Sequence, residues 1–160
     1  MKRIIIVGKG GSGKSYAAEY ISKTTGMQLP ISYTTRPPRD YEEDGKHYHF
    51  INSPRFLEMI ADKKFYEFVE FNTWKYGTTT NQFNESCDVF IMTPHGISLV
   101  SPEDRKSSFI IYIDVEDNIR LERLSKRDMP GDNIKRRMIA DTKDFTGFKD
   151  YDIKISNSDF

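Results

Sequence analysis

The segment Gly8-Lys9-Gly10-Gly11-Ser12-Gly13-Lys14-Ser15 does most to narrow the folds open to this chain. It fits G-x-x-x-x-G-K-[ST], and it follows the β-branched run Ile4-Ile5-Ile6-Val7 directly. A helical pattern with Ala17, Ala18 and Ile21 runs from Ser15 to Lys23 behind it. Strand, glycine-rich turn and helix in that order are the setting in which such a loop cradles phosphate. Glycines let the backbone curl so that N–H groups face an anion, and the positive end of the helix reinforces them. Lys14 would then reach the outer phosphates of a nucleoside triphosphate, and the Ser15 hydroxyl would ligate Mg²⁺. A flexible glycine turn is the bland alternative. Gly8, Gly10 and Gly13 also satisfy G-x-G-x-x-G, but a dinucleotide site needs an acidic residue ending the next strand about 20 residues on. The chain there reads Ser32-Tyr33-Thr34-Thr35-Arg36, so that reading is rejected.

An unbroken β-branched run such as Ile4 to Val7 suits a strand buried on both faces of a parallel sheet. Leu29 to Thr34 reads as a second strand, ended by Arg36-Pro37-Pro38, because proline cannot continue a ladder. From Arg36 to about Thr80 the chain turns rich in Tyr, Phe and charge. Alternating stretches, His47 to Ile51 and Phe65 to Phe71, flank a helix predicted over Ser53 to Lys63. Ser53 is its expected N-cap, and Phe56, Leu57 and Ile60 its buried face. Short apolar strands resume at Val89–Met92 and Phe109–Ile113, with a last one at Ile153 and Ile155. Asn118–Arg127 and Asn133–Asp144 read as helices separated by the turn Met129-Pro130-Gly131-Asp132. Strands alternating with helices predict an α/β fold: a three-layer parallel-sheet core carrying an inserted strand-rich lobe. The 160 residues suffice for one such domain, with residues 1–34 and 81–160 as core and 35–80 as lobe.

Charge and cysteine usage exclude several classes. Lys+Arg and Asp+Glu both number 24, which argues against broad electrostatic binding of nucleic acid or a membrane. The lone Cys87 leaves no internal disulfide and no cysteine-based zinc site. No apolar run approaches the roughly 20 residues of a membrane span, and the opening apolar stretch is too short for a signal peptide. A cytoplasmic protein, monomeric or weakly homodimeric, is expected.

A phosphate loop leaves the second substrate open. Arg36 and Arg39 flank two stiffening prolines, and two guanidinium forks held so suit a phosphate monoester better than scattered lysines would. Taken alone, the pair could equally be solvated loop charge. The wider stretch decides between them. Ile31-Ser32-Tyr33-Thr34-Thr35-Arg36-Pro37-Pro38-Arg39, Asp44-Gly45-Lys46-His47-Tyr48-His49-Phe50, Phe65-Tyr66-Glu67-Phe68 and Tyr76-Gly77-Thr78, in that order after the phosphate loop, resemble the guanylate kinase family. The similarity is strongest from the loop to Thr78 and continues more weakly to the end of the chain.

The resemblance implies ATP-dependent phosphorylation of a nucleoside monophosphate, most readily GMP or dGMP to GDP or dGDP, with Mg²⁺. It implies that ATP meets Gly8, Lys9, Gly10, Gly11, Ser12, Gly13, Lys14, Ser15 and Asn157. Arg36, Arg39, Tyr48 and Tyr76 would hold the acceptor phosphate, and Ser32, Glu67 and Thr78 would read the base. Guanine offers N1–H and N2–H₂ as adjacent donors, which one carboxylate can accept together, while its O6 suits hydroxyls. Adenine would leave Glu67 facing a lone pair. Without the surrounding matches Tyr48 and Tyr76 would read as core aromatics and Glu67 as a solvent-facing strand residue. The segment from about residue 124 to 140 corresponds to a mobile helical lid, with Arg123, Arg127 and Arg137 facing phosphate; a solvated basic helix is its bland counterpart. Two nucleotides and one Mg²⁺ carry about four net negative charges, more than Lys14, Arg36 and Arg39 neutralise.

The chain also departs from the family pattern. Ile91 and Thr93 stand where aspartates are usual, the connection from Thr78 to Val89 is short, and the family's final helix is missing after Asn157. Asp114 could compensate, but an N-cap before Glu116-Asp117 is the expected role. Base preference is therefore open to a second reading, a deoxynucleoside monophosphate kinase with relaxed specificity. A third is a guanylate-kinase-like module without catalysis that binds phosphorylated proteins, for which Lys14, Ser15 and the lid arginines would be superfluous.

Overall fold

The computed structural model describes residues 3–71, 73–126 and 133–158. Strand β1 (Arg3–Gly8) lies inside a four-stranded sheet of order β6-β1-β7-β8, in which β6 is Val89–Met92, β7 Ser108–Ile113 and β8 Ile153–Ile155. Every pairing is parallel, with Ile4 level with Val89 on one side and Phe109 on the other. Successive side chains of a strand point to opposite faces. Ile5 and Val7 accordingly join Phe90, Ile110 and Tyr112 under Ile97 and Phe145, while Ile6 joins Val89, Ile113 and Ala18 with Ile21 and Ile119. Both faces of β1 are covered, which is why Ile4 to Val7 run apolar without interruption. Helices on the two sides make the three-layer α/β core.

The first helix, α1 (Lys14–Thr25), starts where β1 ends, after Gly13 in left-handed conformation. A second sheet has the order β3-β2-β5-β4: β2 (Tyr33–Thr34), β3 (His49–Phe50), β4 (Phe65–Phe71) and β5 (Trp74–Thr79). The strand expected from Leu29 is confined to Tyr33–Thr34. The Ile31 carbonyl accepts from Gln82 Nε2 at 2.9 Å instead of a neighbouring strand, and Pro30 has no N–H to give. Helix α2 (Ser53–Ala61) is capped by Asn52, not Ser53: Asn52 Oδ1 accepts the Arg55 N–H at 2.9 Å. Its buried face is Phe56 and Met59, one turn apart, whereas Leu57 is 53% exposed. A π-helical turn, Gln82–Ser86, carries the short link to β6 and seats Phe83 between Tyr66 and Phe90.

Helices α3 (Pro94–Ser98) and α4 (Pro102–Ser107) lead into β7, and α5 (Asp117–Ser125) and α6 (Ile134–Phe145) lie between β7 and β8. Asp114 does not cap α5. Its carboxylate pairs with Lys154 Nζ at 2.6 Å on the adjacent strand, and the residue preceding α5, Glu116, makes no side-chain cap. The predicted extension to Arg127 and the turn Met129–Asp132 fall outside the described residues. Among the described residues, no helix is long and apolar enough to cross a membrane.

Candidate active site

The glycine-rich loop closes over its own backbone. Gly11 and Gly13 take φ of 78° and 98°, a region that side chains disfavour, and the Ser12 N–H donates to the Lys9 carbonyl at 3.2 Å. At Gly8 a β-carbon would come within 2.5 Å of the Ile113 carbonyl and 2.6 Å of Ser12 Oγ. The Ser12 hydroxyl is thus tucked beneath the loop, fully buried, with no hydrogen-bond partner among the described residues. Lys14 Nζ bends back to donate to the Lys9 carbonyl at 3.0 Å. Ser15 stands exposed in the first turn of α1.

Basic side chains from α5 and α6 converge on this loop. Arg123 donates to the Gly11 carbonyl at 3.3 Å and to the Ser158 carbonyl at 2.9 Å, tying the loop to the segment that holds the exposed Asn157. Arg137 is buried, its stem against Gly10 and its guanidinium over the Phe71 ring. Arg127 lies outside the described residues.

In the inserted lobe, Arg36, Arg39, Tyr48 and Tyr76 come together. Arg36 is 3% exposed and lies 5.5 Å from the centre of the Tyr48 ring, which meets Tyr76 edge-on at 6.3 Å. Burial pushes both phenols above their ordinary range. Glu42 ties the arginines together, accepting from Arg36 at 2.8 Å, from the Arg39 guanidinium at 3.3 Å and from the Arg39 N–H at 2.8 Å. Burial raises the Glu42 carboxyl, but these donors outweigh it and hold the group below its ordinary value.

Ser32, Glu67 and Thr78 form the neighbouring cluster. Glu67 and Thr78 are register partners on β4 and β5, Thr78 donates to the Glu67 carboxylate from its hydroxyl and its backbone N–H, and Ser32 Oγ lies 3.4 Å from Thr78 Oγ1. Glu67 is 6% exposed, and burial pushes its carboxyl up to about 7 against the effect of those bonds. From the core side Gly96 closes in, so tightly that a β-carbon there would lie 3.1 Å from Glu67 Oε2. Thr93 holds that turn, its hydroxyl accepting the Gly96 N–H at 3.0 Å.

The sequence profile of the family described as guanylate kinase matches residues 1–160. The chain belongs to the guanylate kinase family. A guanylate kinase of Vibrio cholerae is 32% identical over 168 residues, spanning 98% of this chain and 80% of that protein. One from Helicobacter hepaticus is 30% identical over 165 residues, spanning 98% and 82%. The crystal structure of guanylate kinase from Anaplasma phagocytophilum shares the fold, with a TM-score of 0.71 over 98% of this chain and 77% of that one at 19% identity. The resemblance read from the motifs is borne out, as is the α/β fold with its parallel sheet, and membership makes the chain a phosphotransferase of the nucleoside monophosphate kinase type.

Within this guanylate kinase fold, four residues escaped sequence reasoning. Glu42 sits in the acidic run Tyr41-Glu42-Glu43-Asp44, which looks like solvated loop charge. Gly96 and Asp141 carry no local signal. Arg120 could be placed one turn before Arg123, but nothing marks it as 0% exposed.

Proposed function

We propose that this guanylate kinase family member transfers the γ-phosphoryl group of ATP to GMP or dGMP, giving ADP and GDP or dGDP. The observation that carries the substrate is Glu67: a buried carboxyl beside two hydroxyls, in the lobe that also gathers Arg36, Arg39, Tyr48 and Tyr76. Guanine's N1–H and N2–H₂ would donate to that carboxylate and draw it into its charged form, with Ser32 and Thr78 hydroxyls left for O6. A site built on such bonds rejects a base lacking them by about 10⁴–10⁵. The matches to guanylate kinases favour this reading over a kinase of relaxed base preference and over a protein-binding module.

The acceptor needs no catalytic base. Its phosphate has a second pKa of about 6 and is already anionic at neutral pH. The protein's share is alignment and charge stabilisation. Arg36 and Arg39 hold the acceptor phosphate, while the glycine loop and Lys14 hold the donor's outer phosphates. Arg123 and Arg137, with Arg127 as the resemblance implies, would serve the group in transit and help exclude water from it. Ser15 fits Mg²⁺, which commonly takes one or two protein oxygens and fills its shell with water and substrate phosphate. Ser15 would hold the metal, whose chemical contribution when bound would be to offset the charge of the donor phosphates. Asn157 lies on the side where Arg123 ties the loop to the chain end, in keeping with a place near the donor's base.

A coupled ADP-release assay with Mg·ATP and a panel of ribo- and deoxyribonucleoside monophosphates tests the proposal. GMP or dGMP should be preferred over AMP, CMP and UMP by at least about 10³ in kcat/KM. Equal use of GMP and AMP would overturn the assignment of Glu67.

A further inference from the structure

We infer that Arg120 and Asp141 form a positioning pair for phosphoryl transfer, locking both backbone groups of Gly10 and setting Arg137 on the phosphate loop. The inference rests on the proposed transfer reaction at that loop. Arg120 is 0% exposed and Asp141 2%. Arg120 Nε donates to the Gly10 carbonyl at 2.8 Å, one terminal nitrogen donates to Asp117 at 2.5 Å and the other to Asp141 Oδ2. The same Oδ2 accepts the Gly10 N–H at 2.9 Å. One ion pair, with its cation from α5 and its anion from α6, therefore grips the carbonyl and the amide of a single loop residue.

Arg137 precedes Asp141 by four residues on α6, so the two share a helix face. A β-carbon at Gly10 would lie 3.1 Å from Arg137 Cδ and 3.3 Å from Asp141 Oδ2, so both side chains pack closely on that loop position. Whatever fixes Asp141 on Gly10 thus also fixes Arg137.

Stability does not explain the pair. Removing two charges from water costs several kcal/mol, and apolar residues of similar volume commonly serve as well or better. Apolar packing has no direction, however, and would leave the Gly10 carbonyl and N–H to find partners elsewhere. The pair supplies fixed hydrogen-bond geometry at the loop, and transfer is sensitive to misplacement of about 1 Å.

The test measures kcat, both KM values and Tm for the full chain and two variants. Asp141→Asn keeps the shape and loses the charge. Arg120→Met with Asp141→Leu replaces the pair by apolar packing. Asp141→Asn should lower kcat about tenfold or more while KM for GMP stays within about twofold, because Gly10 belongs to the donor-phosphate loop and is not among the residues proposed to hold the acceptor. The double variant should melt no lower than the unmutated protein and still turn over at least about tenfold more slowly. A double variant with unmutated kcat would overturn the inference. So would one that unfolds, or one whose KM for GMP rises as far as kcat falls, since either would mark the pair as a prop of the fold. An unmutated protein that phosphorylates no monophosphate would overturn the transfer reaction together with the pair's role, whereas normal turnover with insensitive variants would refute the pair alone.

Discussion

The guanidinium carbon of Arg137 stands 5.9 Å from the centre of the Phe71 ring. Arg137 belongs to α6 of the core and Phe71 ends β4 of the lobe, so one cation is shared between the two. Its stem rests on Gly10, and its charge favours ionisation of Tyr76 in the proposed acceptor pocket. A cation over an aromatic face contributes about 0.5–2 kcal/mol. Arg137→Ala should therefore lower kcat by roughly 10²–10³ with a smaller change in KM for GMP. Arg137→Lys should recover little, because an ammonium neither stacks nor forks. Steady-state ADP release reads both, and an effect confined to KM would contradict the role.

Glu67 gives a prediction in pH. Its carboxyl titrates near 7 in the folded chain against an ordinary 4.5, so between those values the folded state holds more protons than the unfolded. Stability contributed by this group is full below about 4.5 and is lost as pH rises through about 7. Glu67→Gln removes the buried charge and should raise Tm by several degrees at pH 8, at roughly 3 °C per kcal/mol, with little change at pH 5. The same variant should lose GMP use, because an amide cannot accept both guanine donors. A Tm difference independent of pH would refute the linkage.

Glu42 is the counter-charge of Arg36 and Arg39, the pair proposed to hold the acceptor phosphate. Removing it leaves Arg36, 3% exposed, without its carboxylate. Breaking a buried pair from one side costs about 3–5 kcal/mol. Glu42→Ala should then lower Tm by roughly 6–20 °C. Saturating GMP should return part of that loss, since a ligand bound only by the folded state stabilises it. Melting curves with and without GMP check both statements, and an unchanged Tm would show that Glu42 does not hold Arg36.

Gly96 tests the floor of the proposed base site. A β-carbon there would approach Glu67 Oε2 to 3.1 Å, so the carboxylate must retreat by a few tenths of an ångström. Gly96→Ala should raise KM for GMP severalfold, leave KM for Mg·ATP unchanged and move Tm little. Equal shifts in both KM values would place the disturbance elsewhere.

Local patterns in the chain carried the phosphate loop, the buried β1 and the two arginines beside the prolines, because each depends on backbone geometry and near neighbours. Ser32, Glu67 and Thr78 could be grouped only through the resemblance, and the antiparallel register of β4 on β5 then brought Glu67 level with Thr78. Helix boundaries shifted where one polar side chain outcompeted its neighbour for a cap, as Asn52 did over Ser53.

Contacts that join distant parts of the chain were another matter. Asp141 meets Gly10 across 131 positions, and Gly96 closes on Glu67 only because α3 packs under β4. Asp114 turned to Lys154 because β8 lies beside β7, a neighbour that no local rule supplies. Sequence alone nominated the residues suited to phosphate, since that is a matter of donor chemistry and loop conformation. Tertiary packing decided which charges are buried and what they face, because desolvation and pairing exist only once separate elements close on one another.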